Sequence, residues 1–356
     1  MLLLDFSLSD TLESFSLESK RIRSFKPHEA KSQRSGKFIR YHYTSAGALM
    51  AILKGQTNGF GSVRFTDARY MNDRSEHMYF IKCLLEYIGK HRTEYQYCQD
   101  IINKVLLQNH TEKEYLSLSV SELDEFETQD ITFTKTSNFL FCLSKENDSL
   151  HMWNYYIHNG NYQGYNIGIH VNDFLKNFAN DSSAENDPLC FYCGDVIYEK
   201  AAQEKEIEIL CNAIETFGEK TKSFPDETIG SFPSNTQLAM VYLWRYIQCC
   251  GLFYKDKSFA DEKEYRIVIQ FDSYNAKQNI ASFFNSKNTS IKFDFFDRNG
   301  VLVPYLSVPL AKEAVKQITM APTMESRIAS ISMKEFLESN EYSIVDVKQS
   351  TIPIRF

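Results

Sequence analysis

From Tyr265 to Phe271, apolar side chains alternate with Arg266, Val268 and Gln270. Period-two alternation rich in β-branched and aromatic residues predicts a strand. Just before it stands the charged run Asp261-Glu262-Lys263-Glu264. If the chain is extended throughout, Glu262, Glu264 and Arg266 project to one side, because successive side chains of a strand point to opposite faces. Two carboxylates and a guanidinium then converge where a charged loop enters an apolar strand. An arginine at that distance tunes a carboxylate, and a strand entry holds it rigidly. The same pattern also suits a hairpin edge kept soluble by its charge, and both readings stay open on this stretch alone.

Other features bound what surrounds it. At 356 residues with 43% hydrophobic content, the chain has the material for one large or two ordinary domains. A formal net charge of −7 gives no global attraction to nucleic acid or to an anionic membrane. No run of eighteen apolar residues suggests a membrane span. Met1-Leu2-Leu3-Leu4 runs into Asp5 without a basic segment, unlike a signal peptide. The eight cysteines are read as reduced thiols of a cytoplasmic protein. Cys190 and Cys193 form a lone C-x-x-C with no second pair at zinc spacing, so no metal is expected.

Between residues 20 and 40 the local charge reverses. Arg21, Arg23, Lys26, Arg34 and Lys37 belong to a run of eight cations against the single acid Glu29. Such an arm can neutralise phosphates, dock an acidic protein, or simply be solvated. Phe38 to Thr44 reads as a strand, and Ser45 caps a short helix from Ala46 to Lys54 that Gly55 stops. His42 and Thr44 share one face of that strand just before a helix start, where anions are favoured. Further helices are expected around Ile81, Leu84, Leu85 and Ile88, over 199–217, and around Leu243, Trp244, Tyr246 and Ile247. Strands are expected at Val63–Phe65, Phe139–Leu143, Tyr165–Val171, Val301–Val308, Val315–Met320 and Ile344–Val347. Pro304 suggests an edge or bulge. Residues 272–300 read as loop-rich, and Ser332 with Glu335 as a capping box. The Pro/Gly-bearing stretch 218–236 reads as a linker or insertion. No repeat is visible, and strands fall irregularly between helices. The expected class is α+β in one main domain, in preference to a doubly wound sheet. Residues 1–40 would form the basic arm, and 41–356 a single catalytic domain with helical insertions at about 93–130 and 199–236.

Several short motifs then fall in an order that resembles the bacterial domain-of-unknown-function family 2971. They are Tyr41 to Ser45; Asn72-Asp73 with Glu76; Phe141 to Ser144 with Asp148, Met152, Trp153 and Tyr156; Gly164-Tyr165 with Gly168; Lys255, Phe259, Glu262, Glu264 and Arg266; and the ending Ile318–Pro322 with Ser350–Arg355. Ala321 stands where family members often carry glycine. A looser resemblance links His42-x-Thr44 and Glu262-x-Glu264 to ADP-ribosyltransferase toxins. That likeness implies an ADP-ribosyltransferase-like α+β fold, a mixed or antiparallel β core with flanking helices, and NAD as substrate, with His42 and Thr44 on the adenosine-side ribose. It implies Glu264 as the catalytic carboxylate and Glu262 as the residue orienting the target. Tyr70 or Tyr155 would stack on nicotinamide, with Asn72 nearby. It further implies a toxin of an antiphage or toxin–antitoxin system, with an antitoxin or chaperone as partner. RNA is the favoured acceptor, ahead of DNA or protein.

Two other classes share the residues. One is a non-catalytic module that binds a nucleotide or nucleic acid, with structural carboxylates. The other is a carboxylate-based glycosidic hydrolase. If the arm contacts phosphates, deleting residues 1–37 lowers nucleic-acid affinity and flattens its dependence on salt. Titrations at several salt concentrations check this, and an unchanged slope would assign the arm to another partner.

Overall fold

Apolar residues recur at two periods along this chain, and the structure sorts them into separate cores. The computed structural model describes residues 22–24, 38–54, 61–71, 76–107, 136–157, 163–176, 189–223, 234–272, 279–286, 290–324, 326–342 and 344–353. In chain order the first elements are β1 (Ile22–Ser24), β2 (Ile39–Thr44), α1 (Ala46–Lys54), β3 (Gly61–Asp67), α2 (Glu76–Lys90) and α3 (Gln96–Ile102). Next come β4 (Thr136–Ser144), α4 (Leu150–Tyr156), β5 (Tyr165–His170), α5 (Val171–Leu175), β6 (Leu189–Asp195), α6 (Lys200–Thr221) and α7 (Asn235–Cys250). The remainder are β7 (Glu264–Asp272), α8 (Ile280–Ser286), β8 (Lys292–Arg298), β9 (Val301–Leu310), β10 (Val315–Met320), α9 (Ser326–Ser339) and β11 (Asp346–Gln349). The class is mixed α+β.

The chain groups into two units, the first drawn from 1–24, 69–136 and 194–259, and the second from 25–68, 137–193 and 260–356.

The first unit is helical. Phe80, Leu84 and Ile88 recur at helical spacing on α2 and pack with Ile101, Ile207, Leu210, Ile214, Leu243 and Ile247. Burying each such side chain contributes about 1.5–3 kcal/mol. The Glu215 carboxylate accepts from the backbone amides of Tyr97 (3.3 Å) and Cys98 (3.0 Å), closing donors that the start of α3 leaves open. Gln203 is fully used. Its amide donates to the Ile197 and Lys255 carbonyls at 2.7 and 3.0 Å and accepts from the Tyr79 hydroxyl at 3.2 Å. Helix α6 runs four residues beyond the expected end at 217, and α7 opens on a full Ser234–Gln237 capping box.

The second unit is built on a sheet. Its strand path runs β6-β7-β4-β2-β5-β10-β11, with β3 pairing β4 and β9, and β8 joining β9. The β2/β5 and β5/β10 pairs are antiparallel while β10/β11 is parallel, so the sheet is mixed. One sheet face is apolar. Phe141 and Leu143 of β4, Ile167 and Ile169 of β5, and Ile267 and Ile269 of β7 join one buried core with Leu49 and Leu53 of α1. By strand alternation Ser144, Asn166, Glu264, Arg266 and Gln270 occupy the opposite, polar face. Gln270 there donates to Asn138 at 2.9 Å.

Three expectations shift. Residues 272–300 hold α8 and the edge strand β8, which turns into β9 through Asn299 and Gly300 at φ 53° and 82°. An Asn-Gly pair with both residues left-handed is the favoured two-residue hairpin turn. Ser332 lies inside α9, which already begins at Ser326, so it caps nothing. The last strand starts at Asp346, two residues after the expected Ile344. Pro304 keeps its edge character. β9 pairs with β3 as far as Tyr305, so among the described residues β8 alone pairs with it at Pro304.

Asp148 ties the chain's ending to the start of α4. Its carboxylate accepts from Trp153 Nε1 (2.8 Å), Ser350 Oγ (2.7 Å) and the Thr351 backbone amide (2.8 Å). Trp153 is itself fully buried beside Tyr43, Met152 and Ile157. Removing a charged acceptor strands these donors, so Asp148→Ala is expected to cost about 2–3 kcal/mol. The check is a lower urea midpoint at unchanged m-value.

Candidate functional site

The polar face gathers its charges where β4 ends and β7 begins. Two links lock these ends together: the Lys145 amide donates to the Lys263 carbonyl (2.9 Å), and Ser144 Oγ donates to the Glu262 carbonyl (2.8 Å). Tyr41 of β2 lies opposite Ser144 in the sheet register. Between Glu262 and Glu264 the backbone turns sharply, because Lys263 holds φ at +44°. For a residue with a Cβ that conformation is disfavoured and persists only where its surroundings over-determine it. Here the two backbone links do so, and Lys263 Nζ also pairs with Glu146 at 2.7 Å, which raises the lysine pKa.

That turn corrects the expectation of one extended stretch. Glu262 ends a 3-10 turn and only Glu264 lies on the strand. The side chains part accordingly. Glu264, 6% exposed, meets the fully buried Arg266 through a two-pronged pair, Nε to Oε1 and Nη2 to Oε2, both at 2.9 Å. Residues two apart on a strand share a face, which permits this fork. Glu262, also 6% exposed, accepts at Oε1 from the Tyr156 hydroxyl of α4 at 3.0 Å.

Alongside, Tyr43 of β2 donates to the Glu146 carbonyl (2.8 Å) and accepts from the Ser149 amide (3.0 Å). Asn166 of β5 donates to the Asn147 carbonyl at 2.7 Å. These bonds hold the 144–149 segment to the sheet. Burial raises the Tyr43 and Tyr41 pKa values, Tyr43 the more strongly, keeping both hydroxyls protonated at neutral pH.

The expected site residues of the second unit that are described, His42, Thr44 and Tyr155, do not join this cluster. His42 turns to the apolar side, its ring 5.1 Å from Phe141 and its Nδ1 3.4 Å from the Cys142 carbonyl. Burial lowers its pKa, so it is neutral at pH 7. Thr44, buried, follows His42 at the next same-face position of β2. Phe141 and Ile267 belong to the core face, so His42 and Thr44 lie across the sheet from Glu264. Tyr155 is 75% exposed with its ring 4.6 Å from His151. Tyr70 belongs to the first unit, where Arg69 lies 5.9 Å over its ring. Asn72, Arg21, Lys26, Arg34 and Lys37 lie outside the described residues, and of Arg23 only the backbone, in β1, is described. Cys190 is exposed while Cys193 is buried in the core of the second unit.

Tyr156, Ser144, Tyr41 and Lys263 join this cluster without having been singled out as site residues from the sequence. Tyr156 carried a signal, its place beside Trp153 on a short helix. The left-handed turn at Lys263 carried none, since lysine has no preference for it.

A carboxylate and a guanidinium buried together are coupled strongly. Arg266→Ala leaves the Glu264 charge buried without its partner and is expected to cost about 3–5 kcal/mol. Replacing both at once by apolar residues of similar volume, Glu264→Leu with Arg266→Met, is expected to recover most of that loss. Denaturant unfolding of the single and double variants forms the cycle that measures the pair.

No curated protein and no solved structure matches the chain. One family model does match, over residues 152–267. That stretch begins in α4 and ends within β7, so it carries Tyr156, Glu262, Glu264 and Arg266 together. Over those residues the chain is similar to the family described as "Protein of unknown function (DUF2971)".

Proposed function

We propose that the polar end of the second unit's sheet is a glycosyl-transfer site that moves ADP-ribose from NAD to a nucleic acid, RNA before DNA or protein. The observation that carries this reading is the Glu262 carboxylate, nearly buried and oriented by the Tyr156 hydroxyl at 3.0 Å. Glu262 takes the catalytic part that the sequence motif suggests for Glu264. Both oxygens of Glu264 are held by Arg266, so its part is to set the field and geometry around Glu262.

In the reaction the C1′–N bond of the nicotinamide ribose breaks. Its electron pair goes to the ring nitrogen, and nicotinamide leaves as a neutral molecule. The ribose becomes an oxocarbenium-like cation, which a preorganised carboxylate stabilises. An acceptor oxygen or nitrogen then bonds to C1′ and loses its proton to a nearby base. No step calls for a metal. A toxin role in antiphage defence, with an antitoxin or chaperone restraining the activity, is part of the same proposal and rests on resemblance alone.

A non-catalytic nucleotide- or nucleic-acid-binding module is the second reading. The arrangement that favours it is His42 and Thr44 against the core together with Glu264 committed to Arg266.

One measurement separates these readings. Purified protein is incubated with labelled NAD and separate pools of RNA, DNA and protein, and both nicotinamide release and acceptor labelling are followed. The transferase reading expects label in a nucleic-acid pool and a fall of about a hundred- to a thousand-fold in Glu262→Gln. Nicotinamide release without labelling of any pool indicates a hydrolase. No release with any pool leaves the binding module.

A further inference from the structure

The hairpin β8–β9 and strand β3 carry a second feature that the carboxylate cluster does not use. On the face of these strands turned away from the core, Arg64 lies opposite Ser307, Thr66 opposite Tyr305, Asp294 opposite Tyr305, and Phe296 opposite Val303. The core-facing positions of β3 and β9 are Val63, Phe65, Leu306, Val308 and Leu310. What remains outward is a row of rings and cations. The Phe296 and Tyr305 rings meet edge-on at 5.7 Å. The Arg64 guanidinium lies 4.9 Å from the Phe296 ring centre and 5.1 Å from that of Tyr305. Arg298 lies 5.3 Å from Phe296 on the hairpin's turn side, and Lys292 is exposed at the other end of β8. Asp294, the one acid on this face of β8, accepts from the Tyr305 hydroxyl at 3.3 Å.

We propose that this outer face binds a single-stranded nucleic acid, its bases stacking on Phe296, Tyr305 and the guanidinium planes and its phosphates meeting Arg64, Arg298 and Lys292. Three arguments select that occupant. Half-buried aromatic rings set among cations, of which Arg64 and Lys292 are exposed, match both chemical halves of a nucleotide. Cation–π contact holds the guanidiniums beside the rings, so base and phosphate are met together. A duplex hides its base faces, whereas unpaired bases expose theirs for stacking. The local cationic excess stands against the chain's net charge of −7, which would repel a polyanion from a surface without such a patch. This surface is separate from the carboxylate cluster and does not depend on the reaction proposed there.

The competing occupant is a second copy of this chain. Among the described residues β8 pairs with β9 alone, and Phe295 of β8 and Leu302 of β9, near the hairpin turn, are 51% and 68% exposed. An open apolar edge can add a strand from another molecule.

The test is fluorescence anisotropy of the full chain, without NAD, on a labelled single-stranded RNA of about 12 nucleotides. Unlabelled single-stranded DNA and duplex serve as competitors, and light scattering reports self-association. Phe296→Ala is expected to weaken binding about tenfold. Arg64→Glu, at an exposed position, reverses a charge on this face and is also expected to weaken binding, and circular dichroism verifies the fold of both. Arg64→Ala and Arg298→Ala are each expected to lower the slope of log affinity against log salt by about 0.7. Folded variants that bind as the parent does would overturn the proposal, as would duplex competing better than single strands. Absence of RNA binding together with a dimer that Phe296→Ala dissolves would assign the face to self-association instead. Because no NAD is present, failure here leaves the transfer reaction untouched, and a failed nicotinamide assay leaves this surface standing.

Discussion

The second unit depends on a sheet whose two faces have opposite chemistry. Strand alternation sends Tyr265, Ile267, Ile269 and Phe271 into the core and Glu264, Arg266 and Gln270 to the other side. Since side-chain period and pleat are both two, a slip of one residue in β7 would place Arg266 in the apolar core and Ile267 on the polar face. The charge pair therefore fixes register as well as chemistry. Glu264 meets the buried Arg266 from two residues away on the same strand.

From that constraint the polar cluster follows. β7 must begin at Glu264, so the chain before it has to turn, and the turn falls on Lys263 in a left-handed conformation. The cost of that conformation, about 1–3 kcal/mol, is offset by the Ser144 and Lys145 links from the end of β4. The result sets Glu262 against Tyr156. Two glutamates two residues apart thus acquire different partners, one a permanent cation and the other a neutral hydroxyl. Divergent surroundings for neighbouring carboxylates are how one site acquires two roles.

The two candidate surfaces divide the labour of recognition differently. In the carboxylate cluster Glu262 and Glu264 are nearly buried, and recognition relies on a few oriented groups. The outer face of β3, β9 and β8 is partly exposed and relies on rings and cations repeated across strands. Local stacking needs no deep pocket, so an edge hairpin can carry it.

Much was legible in the sequence because it depends on near neighbours. The strand at Tyr265–Phe271, the helix Ala46–Lys54 with its Ser45 cap, and the core faces of α2 and α7 follow from period and capping chemistry. The fork between Glu264 and Arg266 was legible too, since two residues on one strand share a face. The β8–β9 hairpin was written in Asn299-Gly300, a local signal passed over among the polar residues of 272–300. Other features arise only when distant segments meet. His42 looks like a ligand residue beside Thr44 and a helix start, but β4 and β7 decide which face is core, and they place it against Phe141. Glu262 looks like the continuation of a strand, but the links from 144 and 145, more than a hundred residues away, force the turn at Lys263. Local chemistry set which residues form strands and which pair within them. Which face of a strand becomes interior, and which carboxylate meets Tyr156, was decided by the sheet's order, because only long-range packing distinguishes the two sides of an alternating strand.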